Sequence, residues 1–148
     1  MNKKILIVED DADMLGLLKS SLMLNGCRVK GSLTCFEGLG LFYSFQPDLV
    51  LLDINVGCED GRQVCIEIKS QAIYQHIPVI MMSALNQSVE NYLEYGANDF
   101  LQKPFTLTDL KSMFSIHLGL ATWESYTFNF HLELMITRII LLINWKVN

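Results

Sequence analysis

Three apolar runs punctuate the chain: Ile5-Leu6-Ile7-Val8, the DLVLLD stretch from Asp48 to Asp53, and the IPVIMMS stretch from Ile77 to Ser83. None alternates with polar residues, as expected of strands buried on both faces of a parallel sheet. Cys27-Arg28-Val29-Lys30 and Phe100-Leu101 are shorter strand candidates. Helical spacing fills the intervals. From Met14 to Asn25, Leu15, Leu18 and Leu22 share a face, and Gly26 can end that helix in a left-handed conformation. Gly61 to Ala72 places Val64, Ile68 and Ala72 along a face, and Ser88 to Tyr95 reads as a helix closed by Gly96. Thr106 with Asp109 forms a capping-box pattern ahead of Leu110, Met113 and Phe114. Glu37 to Phe45 is the poorest helix, because Gly38 and Gly40 each cost about 1 kcal/mol relative to Ala.

Five strands alternating with helices predict an α/β fold of three layers, a (βα)5 doubly wound parallel sheet covered on both faces. For this size the flavodoxin-like strand order 2-1-3-4-5 is the expectation, with ligands beyond the carboxyl ends of the strands.

Composition narrows the class. With 148 residues, 51% hydrophobic and 18% charged, the chain is long enough for one packed domain and too apolar to be disordered. Residues 1–118 hold 9 Lys/Arg against 14 Asp/Glu, which gives the whole net charge of −5, and residues 119–148 hold two of each sign. No basic stripe is present, so specific DNA binding by this chain alone is not expected. Cys27, Cys35, Cys58 and Cys65 lack metal-ligand spacing, and the MNKKILIVEDD start runs into acids rather than forming a secretory signal. A cytoplasmic protein with reduced thiols, not attached to a membrane, is the resulting expectation.

The chemistry gathers after the strands. The first ends in Glu9-Asp10-Asp11, the third in Asp53, the fourth in Ser83, and the fifth is followed by Lys103-Pro104. A parallel sheet brings these ends to one edge. Crowded carboxylates stay ionised only with a cation among them, and oxygen ligands with room for phosphate suit Mg²⁺. Asp53 could then attack phosphorus as a nucleophile, with Lys103 and Ser83 on the remaining oxygens. Acids such as Asp11 and Asp13 have the simpler role of opening a helix. Asp48 suits a turn, and Met81 and Met82 suit strand packing. No His stands in a phosphodonor motif.

These residues, with the segments from Pro47 to Asn55, Asp60-Gly61, Ser83-Ala84 and Gly96 to Phe105, resemble the receiver domain of two-component response regulators over residues 1–118. The resemblance implies that Glu9, Asp10 and Asp53 hold Mg²⁺, with Asn55 offering its backbone carbonyl. It implies that Asp53 accepts a phosphoryl group from a sensor histidine kinase, that Ser83 and Lys103 bind it, and that Phe100 is a switch aromatic. A protein of this kind is not an enzyme beyond its own phosphorylation and slow dephosphorylation, and a homodimer is compatible with it. Two positions depart from the family pattern: Gly57 where Pro is usual, and Gly38 where Ala is common.

Rival readings fit less well. A phosphatase of related fold wants an acid two positions after the nucleophile, where this chain has Asn55; a flavin carrier wants a Ser/Thr/Gly phosphate loop, where it has Glu9-Asp10. A pseudo-receiver scaffold would not need the complete acid, Ser and Lys set. Residues 119–148 form an irregular apolar tail. Phe128, Phe130, Leu132 and Leu134 alternate with polar residues, and the run from Ile136 to Trp145 is too short for a membrane span. The tail reads as a strand or helix packed on the receiver, as a partner-binding surface, or as the truncated opening of a winged-helix output domain, whose first strand Tyr126-Thr127-Phe128-Asn129 resembles, without a recognition helix.

Overall fold

The computed structural model describes residues 2–84 and 89–119. Five parallel strands form one sheet: β1 (Lys4–Val8), β2 (Arg28–Ser32), β3 (Leu49–Asp53), β4 (Val79–Ala84) and β5 (Asp99–Lys103). Their order is β2-β1-β3-β4-β5, the doubly wound arrangement expected from the sequence. Four helices connect or follow them: α1 (Ala12–Leu24), α2 (Cys35–Phe45), α3 (Gly61–Ser70) and α4 (Leu107–Leu118).

Alternate residues of each central strand feed separate cores. Ile5, Ile7, Leu49, Leu51, Ile80 and Met82 pack with Leu18 and Leu22 of α1 and with Leu110 and Phe114 of α4. Leu6, Val8, Val50, Leu52, Val79 and Met81 pack with Phe42 of α2 and with Val64, Cys65 and Ile68 of α3. Every residue of β3 is buried, which explains the unbroken apolar reading of its sequence.

The helix ends follow local chemistry. Asp11 caps α1 by accepting the N–H groups of Asp13 and Met14, both at 2.9 Å. Gly26 ends that helix at φ +78, with Gly26 N–H donating to Met23 and Cys27 N–H to Leu22, a Schellman closure. Thr106 and Asp109 form the expected reciprocal capping box of α4.

Three expectations need correction. Helix α2 is longer than Glu37 to Phe45 suggested, because Thr34 caps it and because Gly38 lets it approach the sheet; a Cβ on Gly38 would lie 2.7 Å from Val8 Cγ2. Helix α3 stops at Ser70, and Ala72 lies exposed in a separate 3₁₀ turn, Ala72–Tyr74. The segment read as a helix from Ser88 is a 3₁₀ helix, Val89–Tyr95, whose following Gly96 N–H bonds to the Leu93 carbonyl three residues back. Ser88 and residues 120–148, including the strand-like stretch from Phe128 and the apolar run from Ile136, lie outside the described residues.

Candidate functional site

The parallel strands deliver their carboxyl ends to one edge, and the predicted side chains meet there. Glu9 follows β1, Asp53 ends β3 and Lys103 ends β5. Lys103 Nζ donates to Glu9 Oε2 at 2.7 Å and to Asp53 Oδ2 at 2.6 Å. The three groups are nearly enclosed: Glu9 is 1% exposed, Asp53 6%, and the Lys103 side chain 14%. Asp10 is exposed at the rim, and one carboxylate oxygen from each of Glu9, Asp10 and Asp53 lies within 4.8 Å of the other two. The peptide bond joining Lys103 to Pro104 is cis.

Burial and mutual proximity set the electrostatics of the cluster. Burial pushes the Glu9 carboxyl up from 4.5 to about 7; Lys103 opposes the rise, and the Asp53 carboxylate adds to it. Burial pulls the Lys103 ammonium down, but Glu9 and Asp53 together outweigh it and raise it above 10.5. One ammonium thus faces two buried carboxylates.

Ser83 is buried, on the neighbouring strand one residue before the end of β4. Asn55 is exposed, and its backbone N–H donates to Asp53 Oδ1 at 3.1 Å. Phe100 stands three residues before Lys103 on β5, half-buried, with its ring stacked on Tyr92 at 6.2 Å between centroids. The structure therefore groups Glu9, Asp10, Asp53 and Lys103 directly, with Asn55 and Ser83 alongside, and sets Phe100 further down its strand.

The loop after β3 carries features that sequence reasoning missed. Asn55–Val56 pairs antiparallel with Glu59–Asp60 in a small ribbon, and Gly57 turns it at φ +62. Proline cannot adopt that φ, so this turn excludes it at position 57. Gly61 is required where it stands, because a Cβ there would collide with the Asp53 carbonyl oxygen. Glu59 Oε2 accepts the Cys35 N–H at 2.8 Å and ties the ribbon to the start of α2. Asp60 caps α3, and its hydrogen bonds from Arg62 hold its carboxyl below 3.8. The pairing of Asp60 with Gly61 was a sequence signal, whereas Arg62 had none. A mostly apolar hollow on α2, lined by Phe36, Glu37, Leu39, Gly40, Leu41 and Tyr43, includes none of Glu9, Asp10, Asp53, Ser83 and Lys103.

Comparison with known proteins agrees with this geometry. Residues 5–115 match the family model of the response regulator receiver domain. A probable transcriptional regulator, ycf27, from Guillardia theta is 36% identical over 112 residues, covering 74% of this chain and 43% of that protein. The chain therefore spans less than half the length of that relative. A two-component response regulator from Clostridium difficile matches in structure with a TM-score of 0.73 at 29% identity, over 80% of this chain and 98% of that one. The receiver domain of the sensor histidine kinase PA1611 from Pseudomonas aeruginosa PAO1 matches with a TM-score of 0.72 at 27% identity, over 80% and 99%; it holds a magnesium ion in its active-site cleft. A doubly wound sheet with an acidic and lysine-bearing edge defines a receiver module. The chain belongs to the response regulator receiver domain family of two-component signalling.

Proposed function

We propose that this chain is a phosphorylation-driven switch in which Asp53 accepts a phosphoryl group from the phosphohistidine of a sensor histidine kinase. The observation that carries the reading is the Lys103 ammonium bridging Glu9 and Asp53, with Asp10 at the rim of the same cluster. A carboxylate oxygen of Asp53 attacks phosphorus, the P–N bond to the imidazole breaks, and the imidazole leaves with the electron pair. Lys103 would then hold a transferred phosphoryl oxygen, and Ser83 would donate to another.

The donor set fits Mg²⁺. Glu9, Asp10 and Asp53 would supply oxygen ligands, and the Asn55 backbone carbonyl would join them. When bound, Mg²⁺ would neutralise charge on the phosphoryl oxygens. On this reading the phosphoryl-Asp53 form is itself the signal, so the chain acts as a switch and not as an enzyme on other substrates. The cytoplasm is the compartment this reading implies; no described helix is long and apolar enough to cross a membrane.

Intact-mass analysis after treatment with acetyl phosphate and Mg²⁺ tests the reading. The wild-type chain should gain one phosphoryl group and Asp53→Asn none, because an amide is a poor nucleophile. Equal gain by the variant would remove Asp53 from the acceptor role.

A further inference from the structure

Arg62 is the second residue of α3, and Asp60 holds its guanidinium as a fork. Nε donates to Asp60 Oδ1 at 2.8 Å and Oδ2 at 3.0 Å, and Nη2 donates to Oδ2 at 2.8 Å. Asp60 Oδ1 also accepts the Arg62 N–H at 3.0 Å, so backbone and side chain are fixed by one carboxylate. A guanidinium held this way points in one direction. Its free edge meets Tyr95: Nη1 donates to the phenol oxygen at 3.4 Å, and Cζ lies 5.3 Å from the ring centroid.

Tyr95 ends the 3₁₀ helix Val89–Tyr95. Runs of this length are uncommon for 3₁₀ geometry, so outside contacts must hold it. Two are visible: Tyr92 stacks on Phe100, and Tyr95 rests on Arg62. On the other side, Arg62 leads back to the acceptor. Asp60 pairs with Asn55 across the ribbon, and Asn55 N–H donates to Asp53 Oδ1 at 3.1 Å. Gly61 N–H bonds to the Ile54 carbonyl at 2.8 Å, which fixes the base of the ribbon to the end of β3.

We propose that Arg62 is a positioning residue that couples phosphoryl occupancy of Asp53 to the Val89–Tyr95 segment by carrying displacement of the Asn55–Asp60 ribbon to the Tyr95 ring. The inference rests on Asp53 being the phospho-acceptor. Converting the Asp53 carboxylate to an acyl phosphate changes the charge on the oxygens that Asn55 and Lys103 contact, and the ribbon answers through Asn55. A ligand shifts a conformation only through contacts that differ between the two states, and the Arg62–Tyr95 contact is where ribbon and segment can differ. Half-exposed cation–π pairs correspond to about two- to fivefold in an equilibrium constant. A simple staple would alter stability and leave the affinity for an activator unchanged.

The test is a double-mutant cycle on the full chain, with beryllofluoride and Mg²⁺ as the non-covalent phosphoryl mimic and calorimetry as the readout. Arg62→Ala and Tyr95→Leu should each change the apparent affinity about two- to fivefold, and Tyr95→Leu should have no further effect in the Arg62→Ala background. Tyr95→Phe, which keeps the ring, should stay close to wild type. Arg62→Lys, which keeps charge without the fork, should follow Arg62→Ala and replaces it in the cycle if the alanine variant does not fold. Exchange of the Gly96 and Ala97 amides, which bond to the Leu93 and Tyr92 carbonyls, should respond to the mimic in wild type and lose that response in the Arg62 variant. Independent, multiplicative effects on affinity, or an unchanged amide response in the Arg62 variant, would overturn the coupling. If wild type itself takes up no mimic, the acceptor reading fails and the coupling falls with it. Uptake by wild type with a multiplicative cycle removes the coupling alone.

Discussion

Replacing Glu9 by Gln should stabilise the free protein at neutral pH and flatten the fall of its stability as pH rises. Glu9 is 1% exposed and its carboxyl is pushed up from 4.5 to about 7, first by burial and then by Asp53, against the pull of Lys103. In the unfolded chain the group ionises at its ordinary value. Below about pH 4.5 both states are protonated and no cost arises; between 4.5 and about 7 the unfolded chain has released a proton that the folded one retains. Stability therefore falls with rising pH across that window, and above it the full cost of the buried charge is present. A tenfold step in acidity is worth about 1.4 kcal/mol, so the whole effect is on the order of 3 kcal/mol. Glutamine removes that cost but leaves Lys103 with Asp53 as its remaining carboxylate, bonded at 2.6 Å, so a net gain of about 1–2 kcal/mol is expected near neutral pH. Urea denaturation of both proteins with chelator present, from about pH 5 to about pH 8, reads the difference directly. The gap should open as pH rises and narrow on adding Mg²⁺, which stabilises wild type through the intact carboxylate. A wild-type-to-variant gap that stays constant across this range would refute the buried-charge account of Glu9.

Three further outcomes follow from particular contacts. Gly38→Ala should gain about 1 kcal/mol of helix propensity and lose about 1–3 kcal/mol to crowding against Val8, a net loss that urea melts can measure; a more stable variant would show that β1 yields there. Gly57→Pro should disrupt the ribbon turn, since φ +62 is closed to proline, and weaken Mg²⁺ binding severalfold in calorimetric titration; unchanged affinity would detach the ribbon from the metal site. Removing residues 119–148 should leave Asp53 phosphorylation intact, because the family match ends at residue 115 and the described core reaches no further than Leu118, and the full chain should show no sequence-dependent DNA retention; salt-sensitive retention of a specific duplex would contradict this.

The sequence conveyed the parts of this protein that strong local chemistry determines. The runs at Ile5–Val8, Leu49–Asp53 and Val79–Ser83 are apolar on both faces because both faces are buried, so strand type and the parallel sheet were legible from residues alone. Once the strands are parallel, Glu9, Asp53, Ser83 and Lys103 must share an edge, and the convergence on Lys103 follows from topology rather than from any one motif. What stayed illegible depends on contacts between segments distant in sequence. Helix propensity marks Gly38 as a weakness, yet the close packing of α2 on Val8 makes glycine the residue that fits. The segment before Gly96 has helical spacing, but spacing cannot distinguish an α-helix from a 3₁₀ helix held at its middle by Phe100 and at its last residue by Arg62. Arg62 itself gives no local signal, because its role depends on an acid two residues before it and a ring 33 residues after it, brought together by the fold. The acceptor chemistry is thus written in residues that mark strand ends, whereas the path by which occupancy at Asp53 would reach the rest of the molecule runs through side chains whose meaning is purely tertiary. Variation at Asp53 should therefore abolish phosphorylation outright, while variation at Arg62 or Tyr95 should leave phosphorylation in place and change how far its effect travels.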